Sequence, residues 1–413
     1  MENQGLLIGF TSLNIKMVIM YIIGFILIYL AIKKDYEPML LLPIGFGAIL
    51  VNIPLSVVRF ASEKVLDPFV TDFVKNNPAS RELFENQLDY VFDSAGQAYR
   101  VEPGVLELLL RSGILTELFP VLIFIAIGAM IDFTPLFRNP IMIFFGAAAQ
   151  FGIFATLIVA VLLGFDVKTA SAIGIIGAAD GPTAIYVAAR FAKQYFGPIS
   201  VAAYSYMSLV PIIQPPVIKL LTTKKERLIR MDYKDVKVSK TVKIIFPIAV
   251  TIIAGLVAPI SVPLVGLLMF GNLIRECGVL ERLSNAAQNE LANLVTLLLG
   301  ITIGSTMAAD DFLRWETLLI LAMGLVAFVF DTAGGVLFAK FLNLFLKNKI
   351  NPMIGAAGIS AFPMSARVVH KLAQKEDPTN FILMQSVSAN VSGQLGSIVA
   401  GGLILALVPL LVR

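Results

Sequence analysis

Residues 173–187 read IGIIGAADGPTAIYV, an apolar run that holds one acid, Asp180, followed by two helix breakers, Gly181 and Pro182. Proline removes a helical hydrogen bond and glycine weakens the local turn, so the sequence predicts a helix that unwinds beside Asp180. Unwound backbone is tolerated at membrane depth only where protein or a water-filled cavity covers it. The stretch therefore predicts a broken membrane helix around a buried carboxylate.

The composition of the whole chain indicates that it lies in a membrane. Of its 413 residues 57% are hydrophobic and only 15% are charged, whereas soluble domains carry about a quarter charged residues. This excludes a soluble enzyme and a disordered chain, and a net charge of +4 is too small for a nucleic-acid binder. The single cysteine and single histidine exclude an internal disulfide and clustered metal sites. We expect an all-α polytopic membrane protein with about twelve apolar segments.

Two polar stretches divide this apolar chain. Residues 59–113 predict an extramembrane insertion with amphipathic helices. Residues 223–240 are rich in lysine and arginine, which predicts a cytoplasmic linker by the positive-inside rule. We therefore expect a first membrane repeat at 1–222, the basic linker at 223–240 and a second membrane repeat at 241–413.

Short motifs of the first half recur in the same order in the second half, which indicates an internal repeat. The pairs are 127–130 with 303–306 at an offset of 176, 176–179 with 354–357 at 178, and 43–52 with 263–272 at 220. The insertion accounts for the larger offset. Repeats in transporters are commonly inverted and place broken helices at the membrane midplane. We expect two inverted repeats whose Gly/Pro-broken or re-entrant helices form a midplane cation site.

Asp180 and its neighbour Thr183 are the first candidate ligands. A carboxylate, a hydroxyl and freed backbone carbonyls are oxygen ligands that replace the hydration shell of a cation. An acid inside a membrane segment is a functional site by default, which favours a Na⁺ or H⁺ site here. The alternative is that Asp180 pairs with a distant arginine and only holds helices together.

The repeat partner of this segment, NPMIGAAGISAFPMSAR at 351–367, offers neutral oxygens from Asn351 and Ser360. Neutral oxygens opposite one acid suit a monovalent cation better than a divalent one. Alternatively, its small residues only let helices approach closely. At the end of this segment, Arg367 is placed to hold an anion near the mouth of the pore.

The last segment of each half also carries polar residues. Tyr206 in the first half has a hydroxyl that can relay a proton, and Asn390 lies among serines in the second. Polar side chains that face lipid are costly, so we expect them to face a cavity or another helix. A hydrogen bond between two helices is the open alternative.

On these residues the sequence resembles the β subunit of sodium-pumping biotin-dependent decarboxylases, which act on oxaloacetate, methylmalonyl-CoA or glutaconyl-CoA. The resemblance covers nearly the whole chain. It is strongest at GAADGPTAIY (177–186) and NPMIGAAGISAFPMSARV (351–368), with support from GAMIDF (128–133), GNLIRECGVLERL (271–283) and GSTMAADDFL (304–313).

The resemblance implies a role for each candidate residue. Asp180, Tyr206 and Arg367 would carry the coupled chemistry, and the Na⁺ site would use Asp180, Thr183, Asn351, Gly355, Ser360 and Asn390, with Gly181 and Pro182 breaking the helix. The implied cofactors are Na⁺ and carboxybiotin, the latter carried on a partner subunit. The implied partners are a biotin carrier and carboxyltransferase subunit, a small membrane subunit and further copies of this chain in a trimer, all at the prokaryotic cytoplasmic (inner) membrane.

Two other functions fit the residues. A secondary transporter, either a cation/proton antiporter or a Na⁺-coupled anion symporter, would also use repeats, broken helices and one membrane acid. A purely structural membrane anchor is the third possibility, although an anchor has no need of polar, broken spans.

Overall fold

The computed structural model describes residues 8–59, 65–81, 84, 89–93, 95–231, 237–361 and 363–412, and helices dominate them. Seven of the described helices are long and apolar enough to cross a membrane, and nine spans result if each of two bent helix pairs counts as one. The prediction of an all-α membrane protein is confirmed. Three of the predicted apolar segments are not among these spans. Residues 170–190 and 353–371 are interrupted by irregular backbone, and 39–58 holds only the 14-residue helix Pro38–Val51.

The chain divides into two units by its internal contacts. One contains the described parts of Met1–Phe119 and Thr296–Arg314, and the other contains those of Pro120–Val295 and Trp315–Arg413. Each unit therefore combines segments from both predicted repeats. Two boundaries fall inside the helices Leu118–Met130 and Ala292–Ser305, and the third falls at the start of the helix Trp315–Phe345.

The first unit holds a helical part and a small sheet. Its remaining helical segments are Ile8–Thr11, Ile15–Lys34, Pro38–Val51, Pro68–Asn76, Val105–Leu109, the π-helical turn Leu110–Leu115 and Ala309–Phe312. In the antiparallel sheet, Ala98–Arg100 lies between Val65–Leu66 and Tyr90–Phe92, with Val65 and Tyr90 both opposite Arg100. This sheet lies in the predicted insertion, for which the sequence indicated only helices, because strands of two or three residues show no detectable alternation.

The second unit contains the remaining membrane helices. They are Thr134–Arg138, Ile143–Ala149, Phe151–Leu162, Val167–Gly174, Gly181–Phe191, Phe196–Ser208, Val210–Leu221, Lys224–Arg227, Lys240–Val257, Val262–Cys277, Glu281–Ala286, Trp315–Phe345, Met353–Ala356, Met364–Glu376 and Leu383–Leu411. We call Trp315–Phe345 the long helix and Leu383–Leu411 the polar helix, because serine, asparagine and glutamine side chains are buried along the latter.

A buried asparagine holds a helix end in each unit. In the first unit Asn52 donates to the carbonyl of Met307 at 2.8 Å and accepts from the N–H of Ala309 at 2.8 Å. In the second unit Asn272 donates to the carbonyl of Ile131 at 2.8 Å. The two asparagines are related by the offset of 220, and the two carbonyl residues by the offset of 176. These equivalent contacts support the predicted repeat, whose inversion stays a prediction.

We predict that Asn272→Ala destabilises the second unit. The change leaves the buried Ile131 carbonyl without its donor, which costs about 1–3 kcal/mol of unfolding free energy. The measurement is the thermal unfolding midpoint of the purified protein in detergent. Asn289→Ala is the control, because Asn289 is exposed and bonds only to its own helix. Equal midpoints for Asn272→Ala and the wild type would contradict this role.

Candidate functional site

The helix that carries Asp180 is interrupted where the sequence predicts it. Val167–Gly174 continues into a 3₁₀ turn at Ile175–Ala178, and a new helix starts at Gly181. Between them Ala179 has a φ of 53°, a left-handed conformation that costs an alanine about 1–2 kcal/mol. We call residues 175–180 the first break. Its strained backbone turns the Asp180 side chain into the protein interior.

Asp180 is surrounded by neutral polar groups. Its side chain is at the N-terminus of the helix Gly181–Phe191, and the residue is only 3% exposed. Its Oδ2 accepts hydrogen bonds from the hydroxyls of Thr183 at 2.7 Å and Ser397 at 2.8 Å, and from Nε2 of Gln394 at 3.2 Å. The positive end of the helix dipole and these donors stabilise a carboxylate at this position.

An ion pair is not what holds Asp180 in place. Within the part of the chain that the structure describes, no lysine or arginine nitrogen lies within 4.0 Å of its carboxyl group. Among these residues, Asp180 therefore has no arginine partner of the kind that a purely structural ion pair requires. A membrane carboxylate that only neutral groups surround is free to take up a cation.

The second predicted broken segment touches the first. Its helix Met353–Ala356 ends before residues 357–361, which we call the second break, and the helix Met364–Glu376 follows. The N–H of Ser360 donates to the carbonyl of Ala178 at 3.0 Å. The hydroxyl of Ser360 donates to the carbonyl of Gly393 in the polar helix at 2.8 Å. The two breaks thus meet beside the polar helix.

The polar helix contacts both breaks with one face. Asn390 donates to the carbonyls of Ala357 at 3.1 Å and Ile359 at 2.7 Å, and its own Oδ1 is buried with no partner among the described residues. Gln394 and Ser397 follow at helical spacing and reach Asp180. The polar residues of this helix therefore form hydrogen bonds to other membrane segments, as one of the two interpretations of the sequence predicts. In addition, Oδ1 of Asn390 remains available as an acceptor.

Glycines let the backbones approach closely around the two breaks. A Cβ added at Gly355 would lie 2.0 Å from the carbonyl oxygen of Gly335, and one added at Gly181 would lie 2.2 Å from the Tyr204 ring. A side chain at either position would force its neighbours apart. Gly355 therefore packs closely against the long helix. Such packing is the alternative to cation ligation that the sequence leaves open for this segment.

Three of the predicted site residues make no hydrogen bond to Asp180 in the described structure. The Tyr206 hydroxyl donates to the carbonyl of Leu321 in the long helix. Arg367 is exposed on the helix Met364–Glu376. Asn351 donates to two carbonyls in the segment after the helix Val210–Leu221. Of the other predicted ligands, Thr183 bonds to Asp180 directly. Ser360 and Asn390 are connected to the site only through their contacts with the two breaks.

Asn351 anchors the start of the predicted linker. We call residues 222–231 the strap; residues 232–236 lie outside the described part of the chain. Asn351 donates to the carbonyls of Arg227 and Ile229, both at 2.9 Å. Salt bridges hold the strap as well, from Arg227 to Glu376 at 2.9 Å and from Arg230 to Asp377 at 2.7 Å. Hydrogen bonds from Thr379, and then from Arg230, lower the pKa of Asp377 to about 2.

Sequence reasoning missed three residues that the structure brings forward. Ser397 and Gln394 are not among the predicted site residues, although both contact Asp180. Their spacing after Asn390, at four and seven residues, places all three on one helix face and is a signal that can be read from sequence. Asp331, a buried acid in the apolar stretch FVFDTAGG (328–335), was also passed over, although an acid inside a span predicts function.

Comparison with known proteins decides the family. Residues 16–408 match the family described as the Na⁺-transporting oxaloacetate decarboxylase beta subunit. The chain belongs to this family. It is 47% identical to methylmalonyl-CoA decarboxylase subunit beta of Propionigenium modestum, over 97% of this chain and 96% of that one. It is 46% identical to glutaconyl-CoA decarboxylase subunit beta of Acidaminococcus fermentans (97% and 95%) and 45% identical to oxaloacetate decarboxylase beta chain 2 of Salmonella typhi (97% and 97%).

Family membership confirms the resemblance drawn from the motifs. The chain is a membrane-embedded decarboxylase subunit of the Na⁺-transporting type. A purely structural anchor and an unrelated secondary transporter do not account for this membership. The apolar helices of the structure agree with a subunit that works within the bilayer.

We predict that Ser397→Ala weakens Na⁺ binding about tenfold. The change removes one oxygen that contacts Asp180, and a single hydrogen-bonding group of this kind is worth about 1.4 kcal/mol. The measurement is equilibrium binding of radioactive sodium to the purified protein. Ser392→Ala is the matched control, since Ser392 lies on the same helix but donates to Ile143. Unchanged affinity in Ser397→Ala would remove this hydroxyl from the site.

We predict that Asn351→Ala loosens the strap. The carbonyls of Arg227 and Ile229 lose their shorter hydrogen bonds and keep only those from Asn380, at 3.4 and 3.3 Å. The open population therefore rises about fivefold, and cleavage by trypsin after Lys224, Lys225 or Arg230 accelerates accordingly. Gel analysis of a digestion time course measures this rate, with Ser392→Ala as the control. If instead the cleavage rate stayed at the wild-type value while Na⁺ affinity fell, Asn351 would be a cation ligand, as the resemblance implies.

Proposed function

We propose that this chain couples the decarboxylation of carboxybiotin on a partner subunit to Na⁺ export and proton uptake, with Asp180 as the exchange site. The observation that carries the proposal is the burial of Asp180 among neutral donors and acceptors, at the place where the first break, the second break and the polar helix meet. Family membership supplies the reaction class.

The residues around Asp180 fit Na⁺ as the transported ion. Hard oxygen atoms come from the carboxylate, from the hydroxyls of Thr183 and Ser397, and from the unpartnered Oδ1 of Asn390 nearby. The hydroxyl protons rotate freely, so these oxygens can turn their lone pairs to a cation. The single negative charge of Asp180 among neutral oxygens balances the charge of a monovalent cation but only half the charge of a divalent cation.

Exchange at one carboxylate links the two ions. The Asp180 carboxylate binds Na⁺ or a proton, but not both well, so release of Na⁺ frees it for a proton. We propose alternating access in which the two breaks move against a scaffold formed by the other helices. The left-handed Ala179 in the first break and the interruption of the α-helical hydrogen bonds at both breaks make them the segments that can rearrange.

The remaining candidate residues serve the partner's cofactor. Carboxybiotin, when bound, supplies a carboxyl group that leaves as CO₂ and a ring nitrogen that then needs a proton. Arg367 is an exposed guanidinium at the start of the helix Met364–Glu376 and fits an incoming carboxylate. Tyr206 holds its hydroxyl against Leu321 and would pass the proton toward that nitrogen. A proton available only through the vacated Na⁺ site would make decarboxylation depend on Na⁺ export.

The substrate that loads the carrier is a carboxylic acid or acyl-CoA handled by another subunit. Relatives named for methylmalonyl-CoA, glutaconyl-CoA and oxaloacetate are 45–47% identical to this chain, so identity does not separate these substrates. We propose a biotin carrier and carboxyltransferase subunit and a small membrane subunit as partners, a trimer of this chain, and the bacterial inner membrane as the location.

We predict that Asp180→Asn lowers both decarboxylation and Na⁺ transport by at least about a hundredfold, because asparagine cannot exchange Na⁺ for a proton. The reconstituted complex is assayed for CO₂ release and sodium uptake. Asp310→Asn is the control, since Asp310 is exposed and pairs with Lys16. Decarboxylation at the normal rate with asparagine at position 180 would disprove tight coupling at this residue.

The energy source separates this pump from a secondary transporter. Vesicles that contain the chain should take up radioactive sodium only when the biotinylated partner and its substrate are present. Uptake driven by a pH gradient alone, without the partner, would identify an antiporter instead.

A further inference from the structure

A second acid lies fully buried in the membrane part of the protein. Asp331 is near the middle of the long helix and is 0% exposed. Sixteen residues or so separate it from the start of that helix, which corresponds to about 24 Å along the axis. Neither the family comparison nor the site at Asp180 assigns it a task. The groups around Asp331 must therefore explain how a carboxyl group is tolerated at this depth.

One oxygen of Asp331 binds the start of another helix. Oδ1 accepts the N–H of Ile153 at 3.1 Å. Ile153 lies in the first turn of Phe151–Leu162, where the span from Pro140 is interrupted at Gln150. The same N–H also lies 3.2 Å from the carbonyl oxygen of Gln150, so it is shared between the two acceptors. Together with the helix dipole, it stabilises a negative charge on Asp331.

The other oxygen has no hydrogen-bond donor among the described residues. Oδ2 of Asp331 is buried and faces Gly177 of the first break, where an added Cβ would lie 2.6 Å from it. At Gly152 an added Cβ would lie 2.4 Å from Oδ1. Backbone thus packs directly against the carboxyl group. This leaves no room for Na⁺ with its several oxygen ligands, whereas a proton on Oδ2 needs no additional space.

No positive side chain within the described ranges compensates Asp331. The elements packed against the long helix, and the long helix itself, contribute these titratable or charged groups: Lys168, Tyr204, Tyr206, Lys219, Glu316 and Lys340. Lys168 and Lys219 are exposed, and Lys340 bonds to Leu221 and Glu226. Burial of an ionised carboxylate without a cation is costly, so these surroundings favour the neutral acid.

Asp331 contacts the same break that carries Asp180. Gln150, at the interruption beside Asp331, has a buried Oε1 without a partner among the described residues, and its Nε2 donates to the carbonyl of Gly146 at 3.0 Å. Gly177, against which Oδ2 packs, precedes Asp180 by three residues, so their Cα atoms are at most about 11 Å apart. Movement of the first break therefore changes the surroundings of both acids.

We propose that Asp331 is a second proton-binding carboxyl of the transport machinery, neutral while Gly177 packs against it and ionised when the first break moves away. The proton joins Oδ2 in the first state. In the second state it leaves for the space vacated by the break, and the N–H of Ile153 stabilises the remaining charge. The proton state of Asp331 thereby follows the position of the segment that carries Asp180.

Infrared spectroscopy of the full chain in lipid tests the protonation directly. The wild type should show the C=O stretching band of a protonated carboxyl, sensitive to deuterium oxide, and Asp331→Asn should lack it while Asp331→Glu shifts it. This measurement does not depend on the proposed decarboxylation. Identical spectra for the wild type and Asp331→Asn in this region would mean that Asp331 is ionised, which overturns the proposal.

Transport by the reconstituted complex separates a proton carrier from a helix cap; this readout rests on the proposed function. Asparagine keeps the acceptor for Ile153 but cannot exchange a proton, so Asp331→Asn should bind Na⁺ within about twofold of the wild type yet transport it about a hundredfold more slowly. Thr332→Val is the matched control, since Thr332 is a buried neighbour whose hydroxyl has no partner among the described residues. Normal transport by Asp331→Asn would reduce Asp331 to a cap, and loss of Na⁺ binding would make it a cation ligand.

Discussion

The cost of an unsatisfied polar group at membrane depth governs the arrangement of this protein. The first and second breaks lie within membrane segments, and each frees backbone groups that lipid cannot satisfy. The polar helix meets this need with side chains: Asn390 binds the carbonyls of the second break, and Gln394 and Ser397 bind the carboxyl group of the first. A single helix thus stabilises both irregular segments and completes the surroundings of Asp180.

The same constraint makes the site responsive to ions. A buried carboxylate with no fixed cation, such as Asp180, is stabilised by hydroxyl and amide donors that can reorient when a cation arrives. A lysine or arginine at this place would neutralise the charge permanently and abolish exchange. The buried carboxyl group of Asp331 is accommodated in another way. One oxygen accepts a hydrogen bond from the start of a helix, and backbone packs against the other. The two acids are thereby suited to different occupants.

Much of the site could be predicted from sequence because its signals are local. Asp180 with Gly181 and Pro182 is an acid beside helix breakers, and the broken backbone follows from proline and glycine chemistry. The contact between Ser360 and Ala178 could not be predicted, since it depends on how distant segments cross. Asn351 illustrates the limit: its place in a shared motif predicts a cation ligand, which stays a prediction, but no local pattern indicates that its amide bonds to the strap at Arg227 and Ile229. The short strands around Tyr90 and Arg100 carry too few residues to show a period.

Competition between Na⁺ and protons in the wild-type protein tests the central claim most directly. If one carboxylate at Asp180 exchanges the two ions, the apparent affinity for radioactive sodium should fall steadily as the pH is lowered, approaching a tenfold loss for each unit of pH once the proton dominates. The sodium concentration that gives half-maximal decarboxylation should rise by the same factor. A sodium affinity that stays constant over the same pH range would contradict exchange at a single carboxylate.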